Sequence, residues 1–207
     1  ELLLRAVAEH DNGWWEAEAA PRRDATGATA LDFRDLAADL RREIWLRGVE
    51  RYAAESPYLA ALLATHCLRL LRPWVADPAW ESFRAQLLER RQELLATAGE
   101  SPAALALDDP WLALADRLSL AVCTGDAAWV DLADWRLAFT NRKGGTAGNP
   151  GDESIEVALQ PFPFAGSTVF ELSCRFLAPG PFRSAAVFAG ALAACPWRRI
   201  RVRLRPL

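Results

Sequence analysis

The chain is expected to fold as an α+β protein that is mainly α: a helical bundle over residues 1–140, then a small antiparallel β-rich part over 152–207 packed on it. Two pattern observations lead there. From Leu2 to about Cys123 apolar residues recur at helical spacing, interrupted by Pro and Gly, and from Ile155 onward the period shortens to two. Composition sets the scale: 207 residues, 52% hydrophobic and 25% charged, are enough for one large domain, or one domain plus a small second one.

The opening helix carries Leu2, Leu3, Leu4 and Val7 and closes at Glu9-His10-Asp11-Asn12-Gly13, with Gly13 placed where a left-handed residue suits a helix end. Trp14 to Phe33 has no sustained period. Pro21 and Gly27 break helix there, so an ordered loop anchored by Trp14 and Trp15 is expected, of a length that is often functional. A second helix, capped by Asp32 or Asp35, runs through Leu36, Leu40, Ile44 and Val49 to about Glu55. Ser56-Pro57 starts a third, with Leu59, Leu62, Leu63, His66 and Leu70 on one stripe. Pro73 and Pro78 bracket a turn. The next helix sets Trp80, Phe83, Leu87, Leu94 and Leu95 opposite a charged face of Arg84, Glu89, Arg90, Arg91 and Glu93 that reads as solvated, and Gly99 to Pro102 ends it. The last long helix is expected from Asp108 or Asp109, with Pro110 at its start, to about Cys123. Its apolar side is Trp111, Leu112, Ala115, Leu118 and Val122.

Beyond Gly125, Trp129 to Phe139 is short and ambiguous. Arg142 to Gly151 is Gly-rich but lacks the Gly-Lys-Ser/Thr ending and following helix of a phosphate loop. Three strands then alternate: Ile155, Val157, Leu159; Phe170, Leu172, Cys174, Phe176; and Ile200, Val202, Leu204. The Ala-rich stretch Arg183 to Ala194 reads as a short helix. Arg199, Arg201, Arg203 and Arg205 line the other side of the last strand. Like charges protecting a sheet edge, or pairing with acids of the helical part, account for them better than a phosphate stripe does.

A net charge of -3 argues against nucleic acid and against acidic membranes as partners, and no apolar run approaches the roughly 18 residues of a membrane span. Cys67, Cys123, Cys174 and Cys195 are widely spaced, as reduced thiols of a cytoplasmic protein would be. No export signal is visible. The chain opens on Glu1 and contains no Met, so either its true start lies further upstream or methionines are missing from the sequence as given.

The candidate chemistry lies in a few polar residues on apolar faces. His10 follows Leu3 by seven positions and Val7 by three, which puts it on the buried side of its helix beside Asp11. His66 and Asp116 occupy similar stripes, and a lone His on such a face is more often a hydrogen-bonded core residue than a ligand. A carboxylate there needs a partner, either one of the many Arg residues or a metal; likewise His10 and Asp11 either bind a metal or simply cap and pin a helix end. The functional reading makes His10, Asp11, His66 and Asp116 ligands of one divalent transition metal (Mn, Fe, Ni or Zn), with Asp11 and Asp116 as catalytic carboxylates. Trp14, Arg22 and Arg23 on the following loop would contact a small-molecule substrate. The competing reading is a non-catalytic module in which Trp14, Trp15 and Trp111 line a small-ligand pocket, or a structural protein.

His10-Asp11-Asn12-Gly13-Trp14, Ala19-Ala20-Pro21 and Asp24-Ala25-Thr26-Gly27 resemble an uncharacterised bacterial family catalogued as a domain of unknown function. Arg47 to Arg51, Pro57 to Leu63 with His66 beyond, Gln86, Asp116 to Leu120 and Pro161 to Phe164 extend the likeness over nearly the whole chain. Members usually carry residues ahead of this opening helix, including a further His, which this chain as given begins after; Trp15 stands where many relatives are polar. The order of His10-Asp11, His66 and Asp116-Arg117-Leu118-Ser119 is also similar to the His-Asp metal-dependent phosphohydrolases. That likeness implies hydrolysis of a small phosphoester.

Overall fold

In the computed structural model, which describes residues 1–31, 35–74, 77–124, 135–142, 154–178 and 180–207, the helices come first and the sheet last. Helix α1 (Leu2–Glu9), a 3-10 turn (Asn12–Trp14) and α2 (Trp15–Ala19) lead into α3 (Ala38–Ala53), α4 (Pro57–Leu70), α5 (Pro78–Ala98) and α6 (Pro102–Thr124). Strands β1 (Arg136–Arg142), β2 (Ser154–Gln160) and β3 (Thr168–Cys174), helix α7 (Ala185–Ala194) and strand β4 (Arg198–Pro206) complete the chain. The class is α+β and mainly helical. The chain forms two compact units, Glu1–Thr26 with Ala30–Asp116, and Gly27–Thr29 with Arg117–Leu207.

Helix α4 is the centre of the first unit. Leu59 to Ala64, His66 and Cys67 are all buried, so the helix is covered on nearly every side, with α3 and α5 packed against it. Each fully buried Leu contributes about 2 kcal/mol. Trp45 of α3 meets Trp80 and Phe83 of α5, with ring centroids 5.8 and 6.4 Å apart. Helix α5 ends as its Gly99 suggests: φ is +68° there, Gly99 N donates to Ala96 O (3.2 Å) and Glu100 N to Leu95 O (3.0 Å). Its charged face is not wholly solvated. Arg90 grips Glu50 of α3 through two bonds of 2.7 Å, a partly exposed pair worth at most about 1 kcal/mol.

Several expectations give way to local physics. The segment after Trp14 opens with a short helix, α2, before its loop. Helix α3 starts only at Ala38, where Asp39 accepts from Leu40 N (2.9 Å); the alternative cap Asp32 lies outside the described residues. Helix α6 starts at Pro102, eight positions before Pro110, which sits inside it. The missing N–H of Pro110 deprives only the Ala106 carbonyl of its bond, and burial of Leu105 in the first unit's core offsets that loss. Trp111, expected on the apolar side, is 42% exposed, while Leu112 is fully buried.

The sheet of the second unit is mixed, in the order β1-β2-β4-β3. The β1–β2 and β3–β4 pairs are antiparallel as expected, but β2 and β4 run parallel, with β3 and α7 between them in the chain as the required crossover. Strand β1 comes from the end of the ambiguous stretch. Its register shifts between Phe139 and Asn141, the mark of a bulge. Ile155, Val157, Val202 and Leu204 form one buried face, with Leu118 and Val122 of α6 against it. Strand β4 is therefore internal, not an edge. Its arginines meet acids of the neighbouring strands: Arg199 and Arg201 lie 3.4 and 3.9 Å from Glu171, and Arg205 lies 3.9 Å from Glu156. Cys67 and Cys195 are free thiols. Most of Trp129 to Phe139 and of the Gly-rich loop lies outside the described residues. Among the described residues no helix is long and apolar enough to cross a membrane.

Candidate functional site

The end of α1 is capped by side chains, and that capping presents the site. His10 Nδ1 donates to Val7 O (2.7 Å), so the ring binds a carbonyl of the last turn, where a helix leaves acceptors open. Asn12, fully buried, donates through Nδ2 to Glu9 O (2.7 Å) and to Gly48 O on α3 (3.2 Å). Gly13 does not adopt the left-handed conformation expected of it. Its role is closeness: a Cβ there would stand 2.2 Å from Ile44 O, while one on Gly48 would stand 3.2 Å from Gly13 N. Two facing glycines thus let the turn lie directly on α3, and Arg47 Nη2 fastens it by donating to Gly13 O (3.0 Å).

At the start of that turn His10 meets residues from two other helices. Its Nε2 lies 3.2 Å from Asp11 Oδ2 and 3.8 Å from Asp116 Oδ1 of α6. Its ring stands edge-on to His66 of α4, with centroids 5.2 Å apart and planes at 87°. One ligand atom each from His10, His66 and Asp116 lie within 4.8 Å of one another. His66 is 1% and Asp116 6% exposed, so this is an interior cluster. Burial pushes the His10 pKa down, but the Asp11 hydrogen bond and charge, the Val7 carbonyl and the Asp116 charge outweigh it and raise the value to about 9. Desolvation opposes ionisation of Asp11. The bond and charge of His10 prevail and lower its pKa.

Of the four expected ligands, three therefore converge, and they do so from separate helices. Asp11 is not one of the three: its side chain is 58% exposed, but its Oδ2 meets the same His10 Nε2. Trp14 packs partly buried against the helical core. Trp15 is half exposed beneath the Arg51 guanidinium, 4.7 Å from its ring centroid. A groove between α3 and α5 is lined by Arg42, Glu43, Leu46, Ser82, Phe83 and Gln86, with none of Trp14, Trp15 and Trp111 in its wall. Arg22 and Arg23 occupy the loop after α2, where Leu31 N donates to Arg22 O (2.8 Å) and Arg23 bridges Ala30.

Arg69 joins the cluster without having stood out in the sequence. It lies three residues after His66 on the same helix, its Nη2 is 2.8 Å from His66 Nδ1, and its Nη1 is held by the Asp109 carboxylate and carbonyl. A basic residue one turn beyond a buried His, opposite the Asp108-Asp109 pair of a later helix, was the available signal. Tyr58 at the start of α4 donates to Asp108 (2.8 Å), so α4 and α6 are bound at two points around the cluster.

A family model described as "Protein of unknown function (DUF3891)" matches residues 1–178, a span that contains all of these residues. No curated protein and no solved structure matches the chain.

Proposed function

We propose that this chain, which belongs to the DUF3891 family of proteins of unknown function, is a metal-dependent hydrolase of small phosphoesters centred on His10, His66 and Asp116. The observation that carries the metal is the convergence of two imidazoles and a carboxylate from separate helices within 4.8 Å, inside an apolar bundle. The phosphoester reading rests on the order of the motifs, His10-Asp11 early, His66 in the middle and Asp116 late, which is similar to that of the His-Asp phosphohydrolases.

The residues fit a divalent ion. His10 spends Nδ1 on a backbone carbonyl, the usual support of a ligating imidazole, and turns Nε2 toward two carboxylates. Nitrogen and carboxylate donors suit Mn, Fe, Ni or Zn. Such an ion supplies Lewis acidity and a water acidified to near neutrality. His10 and Asp116 fix its place, and Asp11, ionised at neutral pH, adds a second carboxylate on the solvent side. Trp14 and the loop residues Arg22 and Arg23 are assigned to the substrate, the two guanidinium groups to its remaining oxygens.

Metal analysis of the purified chain is expected to find about one transition ion per molecule, and the loaded protein to hydrolyse p-nitrophenyl phosphate. A chain that takes up none of Mn, Fe, Ni or Zn on dialysis overturns the reading. Affinity for the ion should also rise with pH. With its pKa near 9, His10 of the metal-free protein carries a proton at neutral pH that the ion must displace. Binding should strengthen by up to about tenfold per pH unit and level off above the His10 pKa. Titration calorimetry in buffers of different ionisation enthalpy reads the released proton.

A further inference from the structure

We propose that His66 serves as a hydrogen-bond donor to an oxygen held beside the ion and not as a ligand of it, and that Arg69 is the positioning residue that makes it so. The inference rests on the metal-centre reading above and divides the labour within that centre.

The chain contains two histidines, and the structure dresses them oppositely. His10 Nδ1 faces the carbonyl of Val7, which can only accept. The hydrogen is therefore on Nδ1, and Nε2 is the nitrogen that offers a lone pair to a cation. His66 Nδ1 faces Arg69 Nη2 at 2.8 Å. A guanidinium has five N–H donors and no acceptor, so here Nδ1 supplies the lone pair and the ring hydrogen resides on Nε2. One nitrogen of His66 is thus taken by Arg69, and the other bears a hydrogen, which bars it from coordination.

Arg69 is not free to turn away. Its side chain is 9% exposed, and its other terminal nitrogen is held by the carboxylate and carbonyl of Asp109. The planar fork fixes both contacts at once. Asp109, Arg69 and His66 form a relay from α6 to α4 that ends in an imidazole of set tautomer within the cluster. His10, Asp116 and Asp11 remain to hold the ion. A fixed N–H beside it binds a water or phosphoryl oxygen and favours the form in which that oxygen gains negative charge.

The test uses the full chain labelled with nitrogen-15 histidine. In metal-free wild type, long-range proton–nitrogen correlation is expected to show His66 with its hydrogen on Nε2. Arg69→Met should release that preference, and Arg69→Lys, which keeps a donor, should retain more of it. After dialysis against Zn or Mn, His66→Gln is expected to hold the wild-type amount of ion, whereas His10→Ala loses it. Hydrolysis of p-nitrophenyl phosphate should fall about 100-fold in His66→Leu, which has no donor, and by less in His66→Gln, whose amide can still donate. Wild-type His66 with its hydrogen on Nδ1, or His66→Gln losing the ion as His10→Ala does, overturns the donor role while leaving the metal centre standing. A wild-type chain that binds no ion removes the metal centre and the donor role together. The wild-type spectrum and the ion content of His66→Gln do not depend on whether the Arg69 variants fold.

Discussion

Replacing His10 by Ala is expected to abolish ion binding and to weaken the metal-free protein as well. The first effect follows from the loss of Nε2, the atom that faces both carboxylates. An ion at 100 times its dissociation constant stabilises a fold by about 2.7 kcal/mol, so wild type should melt later with metal than without it, and the variant should not. The second effect concerns charge. In the metal-free protein the His10 imidazolium lies 3.8 Å from the almost fully buried carboxyl of Asp116, and its removal takes away that attraction, a loss of about 3 kcal/mol. Asp116→Asn also loses the ion, but it removes the buried charge instead of exposing it, so its metal-free form should be the more stable of the two. Elemental analysis and thermal melts with and without Zn or Mn decide the matter. Retention of a full equivalent of ion by either variant defeats the assignment of that residue.

The parts of the fold that were readable in advance depend on local pattern. The stripe of Leu59, Leu62, Leu63 and His66 is a helix period, and His66 had to face inward with it, as it does. Asp116 was legible for the same reason, four residues from Leu112 and Leu120. Period two marked Ile155 to Leu159 and Ile200 to Leu204 as strands, but alternation carries no information on which strand lies beside which. The parallel β2–β4 pair and the internal place of the arginine-bearing strand were therefore invisible. Proline is favoured at a helix start, so Pro110 predicts one at that point of the sequence. The longer α6 reflects the burial of Leu105, a tertiary gain that outweighs one lost backbone bond. At the site, His10, His66 and Asp116 could be listed from their faces, but their convergence could not. The exposure of Asp11 and the grip of Arg69 on His66 depend on side-chain directions that spacing alone does not give.

Gly13→Ala should be the most damaging small substitution in the turn that carries His10. Its new Cβ would stand 2.2 Å from the Ile44 carbonyl oxygen and 3.1 Å from the carbonyl carbon, both backbone atoms of α3. That oxygen cannot swing aside, because in an α-helix it accepts from the N–H four residues on, here Gly48. The turn must lift off α3, straining the Asn12 bond to Gly48 O and the Arg47 bond to Gly13 O that fasten it. The expected cost is about 3 kcal/mol. His10 lies three residues earlier on the same turn, so weaker ion binding should accompany the loss of stability. Gly48→Ala provides the contrast. Its Cβ would meet Gly13 N at 3.2 Å and Gly13 Cα at 3.3 Å, a tighter fit than usual but not an overlap. Alanine also favours the helix by about 1 kcal/mol over glycine, which offsets part of the strain. Urea unfolding should therefore rank wild type first, Gly48→Ala second and Gly13→Ala last by a wide margin. Equal stability of Gly13→Ala and wild type would show that the turn does not rest on α3 at this distance. Loss of stability with undiminished ion binding would show that the approach of the turn does not set the position of His10.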